Sequence, residues 1–169
     1  VTDESAGNAV LDRVLELVGN ELESLYGPDG FYRWGDQAFM RVEDGAVVFL
    51  VGSPLGDDAL LNVRCYLVRD VERPDAELGE YLARLNADQV FGGFSLDEDS
   101  DVCFDYTVLG SSVTPDVVRL AIQVVAGASA QHAPEIIARW GGMTSLEKLR
   151  QELESEEESP EAGDDGPPN

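Results

Sequence analysis

Apolar residues recur three or four positions apart near the start of the chain, at Leu11, Leu15, Val18, Leu22 and Leu25, and Val14 and Leu17 widen the same face. A period of about 3.6 residues returns these positions to one side of a helix. Asp12, Arg13, Glu16, Glu21 and Glu23 fall mainly on the other side. Asn8 is the expected N-cap, because its short side chain accepts a bond from an orphan helix N–H. Residues 1–7 are then a flexible leader. Gly27-Pro28-Asp29-Gly30 ends the helix, since glycine tolerates the left-handed cap and proline cannot continue the ladder.

The period then changes to two. Phe39–Val42 and Ala46–Val51 flank Asp44-Gly45. That dipeptide between two apolar runs signals a tight hairpin, whose turn needs positive φ at both central positions. Gly52–Asp58 reads as a polar loop. Leu60–Val71 reads as a third strand, with Leu61, Val63, Cys65 and Leu67 on one face and Asn62, Arg64 and Tyr66 on the other. The first of these faces is the one expected to be covered.

Pro74 opens a short helix carrying Leu78, Leu82 and Leu85. A second hairpin follows, with arms Val90–Leu96 and Asp101–Leu109 and an acidic tip. Gly92-Gly93 within it marks a bulge or a close backbone approach. Thr114-Pro115-Asp116 combines an N-cap, an N1 proline and a first-turn acid. The helix it starts carries Val117, Leu120, Ala121, Val124, Val125 and Ala128. Pro134 is expected to kink or restart it, Ile136, Ile137 and Trp140 continue it, and Gly141-Gly142 closes it. Thr144-Ser145-Leu146-Glu147 has the form of a capping box.

The order is α-β-β-β-α-β-β-α. Two antiparallel strand groups interrupted by helices predict an α+β fold, with a sheet of about five strands flanked by helices. The expected division is a leader at 1–7, a domain at 8–142, a short helix at 143–153 and a disordered acidic tail at 154–169. The tail has too few apolar residues to offset its ordering entropy.

Composition narrows the function. Of 169 residues, 34 are acidic and 11 basic, a net charge of −23. Such a chain repels phosphate, which argues against nucleic-acid binding and against docking on an anionic membrane surface. No apolar run approaches the roughly 18 residues of a membrane span, and no secretory pattern precedes the first helix. The expected compartment is the cytoplasm.

Candidate chemistry is sparse. His132 is the only histidine, without the partners that zinc binding or base catalysis needs. Cys65 and Cys103 sit in apolar strands, where a thiolate is disfavoured. Asp97-Glu98-Asp99-Ser100-Asp101 is the best metal candidate, but a calcium loop starting at Asp97 needs Gly and Glu where Val102 and Val108 stand. It reads as a solvated hairpin tip. Nucleotide-binding glycine motifs are absent. Trp34 and Trp140 read as core or rim aromatics. No enzyme activity, cofactor or metal is expected.

The strand Ala46–Val51 is apolar on both faces, since Val47, Phe49 and Val51 alternate with Ala46, Val48 and Leu50. Such a strand needs two cover layers, and helices supply one. A second protomer or a bound peptide is the expected second cover. Phe39, Phe49, Phe94 and Tyr106 are the candidate contact residues.

The chain resembles the YbjN domain family and, by shared fold, type III secretion chaperones of the CesT type, with a likeness to actinobacterial members. The resemblance runs from about Asn8 to Gly142. It rests on the first helix, Trp34-Gly35 leading into Phe39-Met40-Arg41-Val42, and the strand Leu61-Asn62-Val63-Arg64-Cys65. It continues through Leu78, Tyr81, Leu82, Leu85 and Asn86, then Gly92-Gly93-Phe94-Ser95-Leu96. It implies a helix-flanked five-stranded antiparallel sheet, homodimerisation and a peptide or protein client, and it transfers no catalytic residue. The alternative expectation is a regulatory domain sensing a small-molecule ligand.

Overall fold

The computed structural model describes residues 4–157. Along them run α1 (Glu4–Tyr26), β1 (Tyr32–Trp34), β2 (Ala38–Glu43), β3 (Ala46–Leu55) and β4 (Asp58–Val68). There follow α2 (Ala76–Asp88), β5 (Gly93–Leu96), β6 (Val102–Leu109), α3 (Pro115–Trp140) and α4 (Ser145–Glu157). The strands form one antiparallel sheet of six in the order β1-β2-β3-β4-β6-β5. The α+β fold is the expected one, with β1 as an additional edge strand.

The Asp44-Gly45 turn has φ of 49° and 81°, as a tight hairpin requires. The next connection is tighter than expected. Ser53, Pro54 and Leu55 still pair with Leu60, Ala59 and Asp58, so a second hairpin turning at Gly56-Asp57 replaces the polar loop. Gly56 supplies positive φ there.

Alternation along β4 decides which face is covered. Leu61, Val63, Cys65 and Leu67 are buried against α1 and α3, and Asn62, Arg64 and Tyr66 lie on the other side, half-exposed. α1 contributes Leu11, Val14, Val18 and Leu22. It approaches β3 so closely that a Cβ on Gly52 would stand 2.7 Å from Leu11 Cδ1. α1 begins at Glu4, so Asn8 lies within the helix and does not cap it. Gly7 between the two positions weakens the helix without ending it. Only residues 1–3 of the expected leader lie outside the described residues.

α3 starts as expected, with Thr114 Oγ1 accepting from the N–H of Val117. Its buried stripe is Val118, Ala121, Ile122, Val125, Ala126, Ser129, Ala133, Ile136 and Trp140. That stripe is rotated from the expected one: Val117 is only half-buried and Leu120 is exposed. Pro134 does not restart the helix. Ala133, Ile136 and Trp140 anchor both sides of it in the core, which outweighs one lost backbone bond.

α2 begins two residues later than expected, at Ala76, capped by Asp75, whose carboxylate accepts from the N–H of Leu78. Asp75 also accepts from Trp140 Nε1 at 3.2 Å, which ties α2 to the end of α3. Asn86 ties the end of α2 to β5: its side chain donates to the Phe94 carbonyl at 2.9 Å and accepts from the Phe94 N–H at 2.6 Å.

The capping box forms, with Thr144 N–H donating to Glu147 at 2.8 Å and Glu147 N–H to Thr144 Oγ1 at 3.2 Å. α4 then runs to Glu157, through the first residues of the expected tail, and residues 158–169 lie outside the described residues. Among the described residues no helix is long and apolar enough to cross a membrane.

Phe104 is fully buried at the centre of this packing and meets Phe94 edge-on at 4.7 Å. Phe104→Ala is expected to lower stability by about 3–5 kcal/mol in urea unfolding. A loss below about 1 kcal/mol would contradict the packing described.

Candidate functional site

Helices α1 and α3 cover one face of the sheet. The other face is open over most of its area, and strand register sets what it presents. Trp34, Ala38, Val51, Asn62 and Thr107 form one row across the strands, and Tyr32, Met40, Phe49, Arg64 and Asp105 form the next. Trp34 is 64% exposed. Its ring lies 5.7 Å from that of Phe49, and Phe49 meets Tyr66 edge-on at 5.8 Å. These three rings and Val51 line a trough of about 760 Å³.

Paired charges frame the trough. Arg64 grips Asp105 through Nε at 2.6 Å and Nη2 at 3.2 Å, and Asn62 donates to the same carboxylate at 3.1 Å. Asp105 is the main reason that Arg64 is held more firmly protonated than a free guanidinium. Arg69 lies 4.8 Å over the Tyr66 ring, with Nε 2.6 Å from Asp101. Asp101 is buried, and burial is the main cause of its carboxyl rising above the usual range. It also accepts from the Asp70 N–H at 2.8 Å.

α4 crosses the hairpin end of the sheet. Ser145 Oγ accepts from the buried Val47 N–H at 3.2 Å, and Lys148 pairs with Asp70 at 2.8 Å. A recess of about 280 Å³ between α4 and the sheet joins the trough at Trp34 and Phe49, with Met40, Val47 and Leu149 in its wall.

The four residues expected to make contacts are divided between the faces. Phe49 lies on the open one. Phe39 is 2% exposed and packs beside Phe31 and Gly19 of the α1 layer. Phe94 is buried between Phe104 and His132, and Tyr106 shares the helix-side row of Val63 and meets Phe91. Phe39 pairs with Leu50, one residue from Phe49, and one residue along a strand reverses the face. The rings beside Phe49 on the open face are instead those of Trp34 and Tyr66. Tyr66 was legible from the alternation of β4, whereas Trp34 sits on a strand too short to show one.

The remaining candidates are held in turn, strand and helix packing. Asp97 Oδ1 accepts from the N–H groups of Asp99 and Asp101, closing its own turn. Among the described residues no three His, Cys, Asp or Glu side chains are grouped to hold a metal ion. Both cysteines are free and buried, and burial pushes the Cys65 thiol up to about 11 and Cys103 to about 12.

The His132 ring packs edge-on against Phe94 at 5.2 Å. Burial lowers its pKa, opposed by the charge of Glu135. The folded chain therefore keeps His132 neutral at a pH where the unfolded chain, titrating near about 6.5, takes up a proton. The unfolded state then binds more protons, so this contribution is lost as pH falls through that range. In urea titrations from about pH 7.5 to about 5.5, the wild type is expected to lose stability relative to His132→Gln. Parallel curves would place His132 in water.

No curated protein sequence matches the chain. Among solved structures, a chain of the crystal structure of the ExsC–ExsE complex superposes with a TM-score of 0.56 at 15% identity. The match covers 70% of this chain and 90% of that one, and shows a shared fold. The family model for the T3SS (YopN, CesT) and YbjN peptide-binding chaperone 1 matches residues 12–148, from the first turns of α1 into α4, and the chain belongs to that family.

Proposed function

We propose that this chain is a non-catalytic chaperone-like module that holds a peptide or protein client on the open face of its sheet. The observation that carries the reading is the trough itself. Trp34, Phe49, Tyr66 and Val51 place aromatic and aliphatic surface together on the face that α1 and α3 leave uncovered and that α4 borders at one end. Contiguous apolar surface of this kind marks interaction sites. The trough opens to solvent, which suits an extended chain better than the enclosed pocket that small-molecule sensing needs. β1 is an edge strand that carries Trp34, so a client can add to its free side and lay alternate side chains into the trough. The family description, a peptide-binding chaperone, supports the same reading.

The homodimer belongs to this proposal as well. At the other end of the open face Leu55 and Leu109 stand 47% and 48% exposed around Leu60, which pairs with Ser53 and Leu109. This second apolar patch suits a second copy and leaves the trough free.

Two measurements follow. Peptides selected by display on the wild-type protein are expected to bind Phe49→Asp about tenfold or more weakly, with little change in unfolding midpoint. Equal Kd on the two proteins would remove the trough from the site. In light scattering the wild type is expected at twice the chain mass and Leu109→Glu at the chain mass. A wild-type monomer would end the dimer reading.

A further inference from the structure

Every basic side chain that lines the trough or its recess is already engaged by a carboxylate of this chain. Arg64 is held by Asp105, Arg69 by Asp101 and Lys148 by Asp70. The exposed carboxylates that line the same surfaces are not matched in this way. Asp99 lines the trough and Glu152 lines the recess, and neither makes an ion pair among the described residues. The groove therefore presents apolar rings between free negative charges. Tyr66 already has the Arg64 and Arg69 guanidinium groups near its ring, at 5.7 Å and 4.8 Å. Among the described residues no cation lies over the Trp34 ring, which is 64% exposed. An open indole attracts ammonium or guanidinium groups as well as apolar side chains.

Resting on the proposed open-face site, we infer that the groove selects clients by charge. The segment it takes carries apolar or aromatic anchors interleaved with Lys or Arg. The anchors fill the space between Trp34, Phe49 and Val51, and the basic groups meet Asp99, Glu152 and the Trp34 face. The net charge of −23 adds a long-range attraction for the same partner. An acidic client meets no free cation along these surfaces and loses on both counts.

The test uses the full chain and three synthetic peptides of one design, with Leu and Trp at fixed positions and Lys, Gln or Glu at the rest. Binding is read by fluorescence anisotropy at low and at high salt. The Lys peptide is expected to bind about tenfold tighter than the Gln peptide at low salt, with the gap closing at about 0.5 M salt. The Glu peptide is expected to be weakest.

Two charge variants separate local from diffuse attraction. Asp99→Lys with Glu152→Lys reverses charge at the groove. Glu16→Lys with Glu23→Lys gives the same net charge from exposed positions of α1, on the opposite face. The groove variant is expected to lose most of the preference for the Lys peptide and the α1 variant to keep it. Equal loss in both variants would overturn the inference, because the preference would then come from net charge alone. Equal binding of the Lys and Gln peptides, both abolished by Phe49→Asp, would also overturn it while leaving the open-face site standing. Binding unaffected by Phe49→Asp would remove the site itself.

Discussion

The inward row of β4 is the constraint on which the rest of the molecule depends. Leu61, Val63, Cys65 and Leu67 are at most 1% exposed. β4 is central in the sheet, hydrogen-bonded to β3 on one side and β6 on the other, and both α1 and α3 rest on it. Burying that row fixes the strand's register by a two-residue period, because a slip of one residue would turn Asn62, Arg64 and Tyr66 into the core. The same register fixes the neighbours. It places Phe104 opposite Cys65 and sets Arg64 beside Asp105 on the outer face. Burial on one side therefore determines the chemistry displayed on the other.

The helices are spent on that inner face. α1 and α3 are long and cover β3, β4 and β6, and α2 fills the space beside β5. Among the described residues only α4 reaches the outer face, at the hairpin end, held by Ser145 and Lys148. β3 is apolar on both sides, so a sheet covered once leaves Phe49 and Val51 in contact with water. The bidentate Arg64–Asp105 pair and the aromatic contacts around Phe49 keep this surface ordered without covering it. A fold that displays apolar surface in a fixed arrangement is suited to holding another chain, and the membership of a peptide-binding chaperone family agrees with that architecture.

The sequence made the architecture legible where local chemistry and tertiary packing agree. Asp44-Gly45, Thr114-Pro115 and the Thr144–Glu147 box each allow one local geometry, and each forms as read. Alternation along β4 named the buried row correctly. The misreadings come from segments whose pattern is degenerate. α3 is apolar nearly all round, so its spacing does not choose between the stripe containing Val117 and the stripe containing Val118, and packing on the sheet makes the choice. Pro54 and the polar residues near it resemble a loop, yet pairing with β4 extends β3 through them. Phe39, Phe94 and Tyr106 are as aromatic as Phe49, but parity along each strand turns them toward the helices. Trp34 became part of the site because β1 joins the sheet edge, a pairing that three residues do not announce.

The central claim is that the open face holds the client. A photo-crosslinking residue in place of Val51, at the floor of the trough, tests it in the cells that make the protein, with the same residue in place of Glu16 on α1 as the comparison. Illumination is expected to join one or a few defined proteins to position 51 and none of them to position 16. Crosslinks to the same proteins from both positions, or from position 16 alone, would contradict the account.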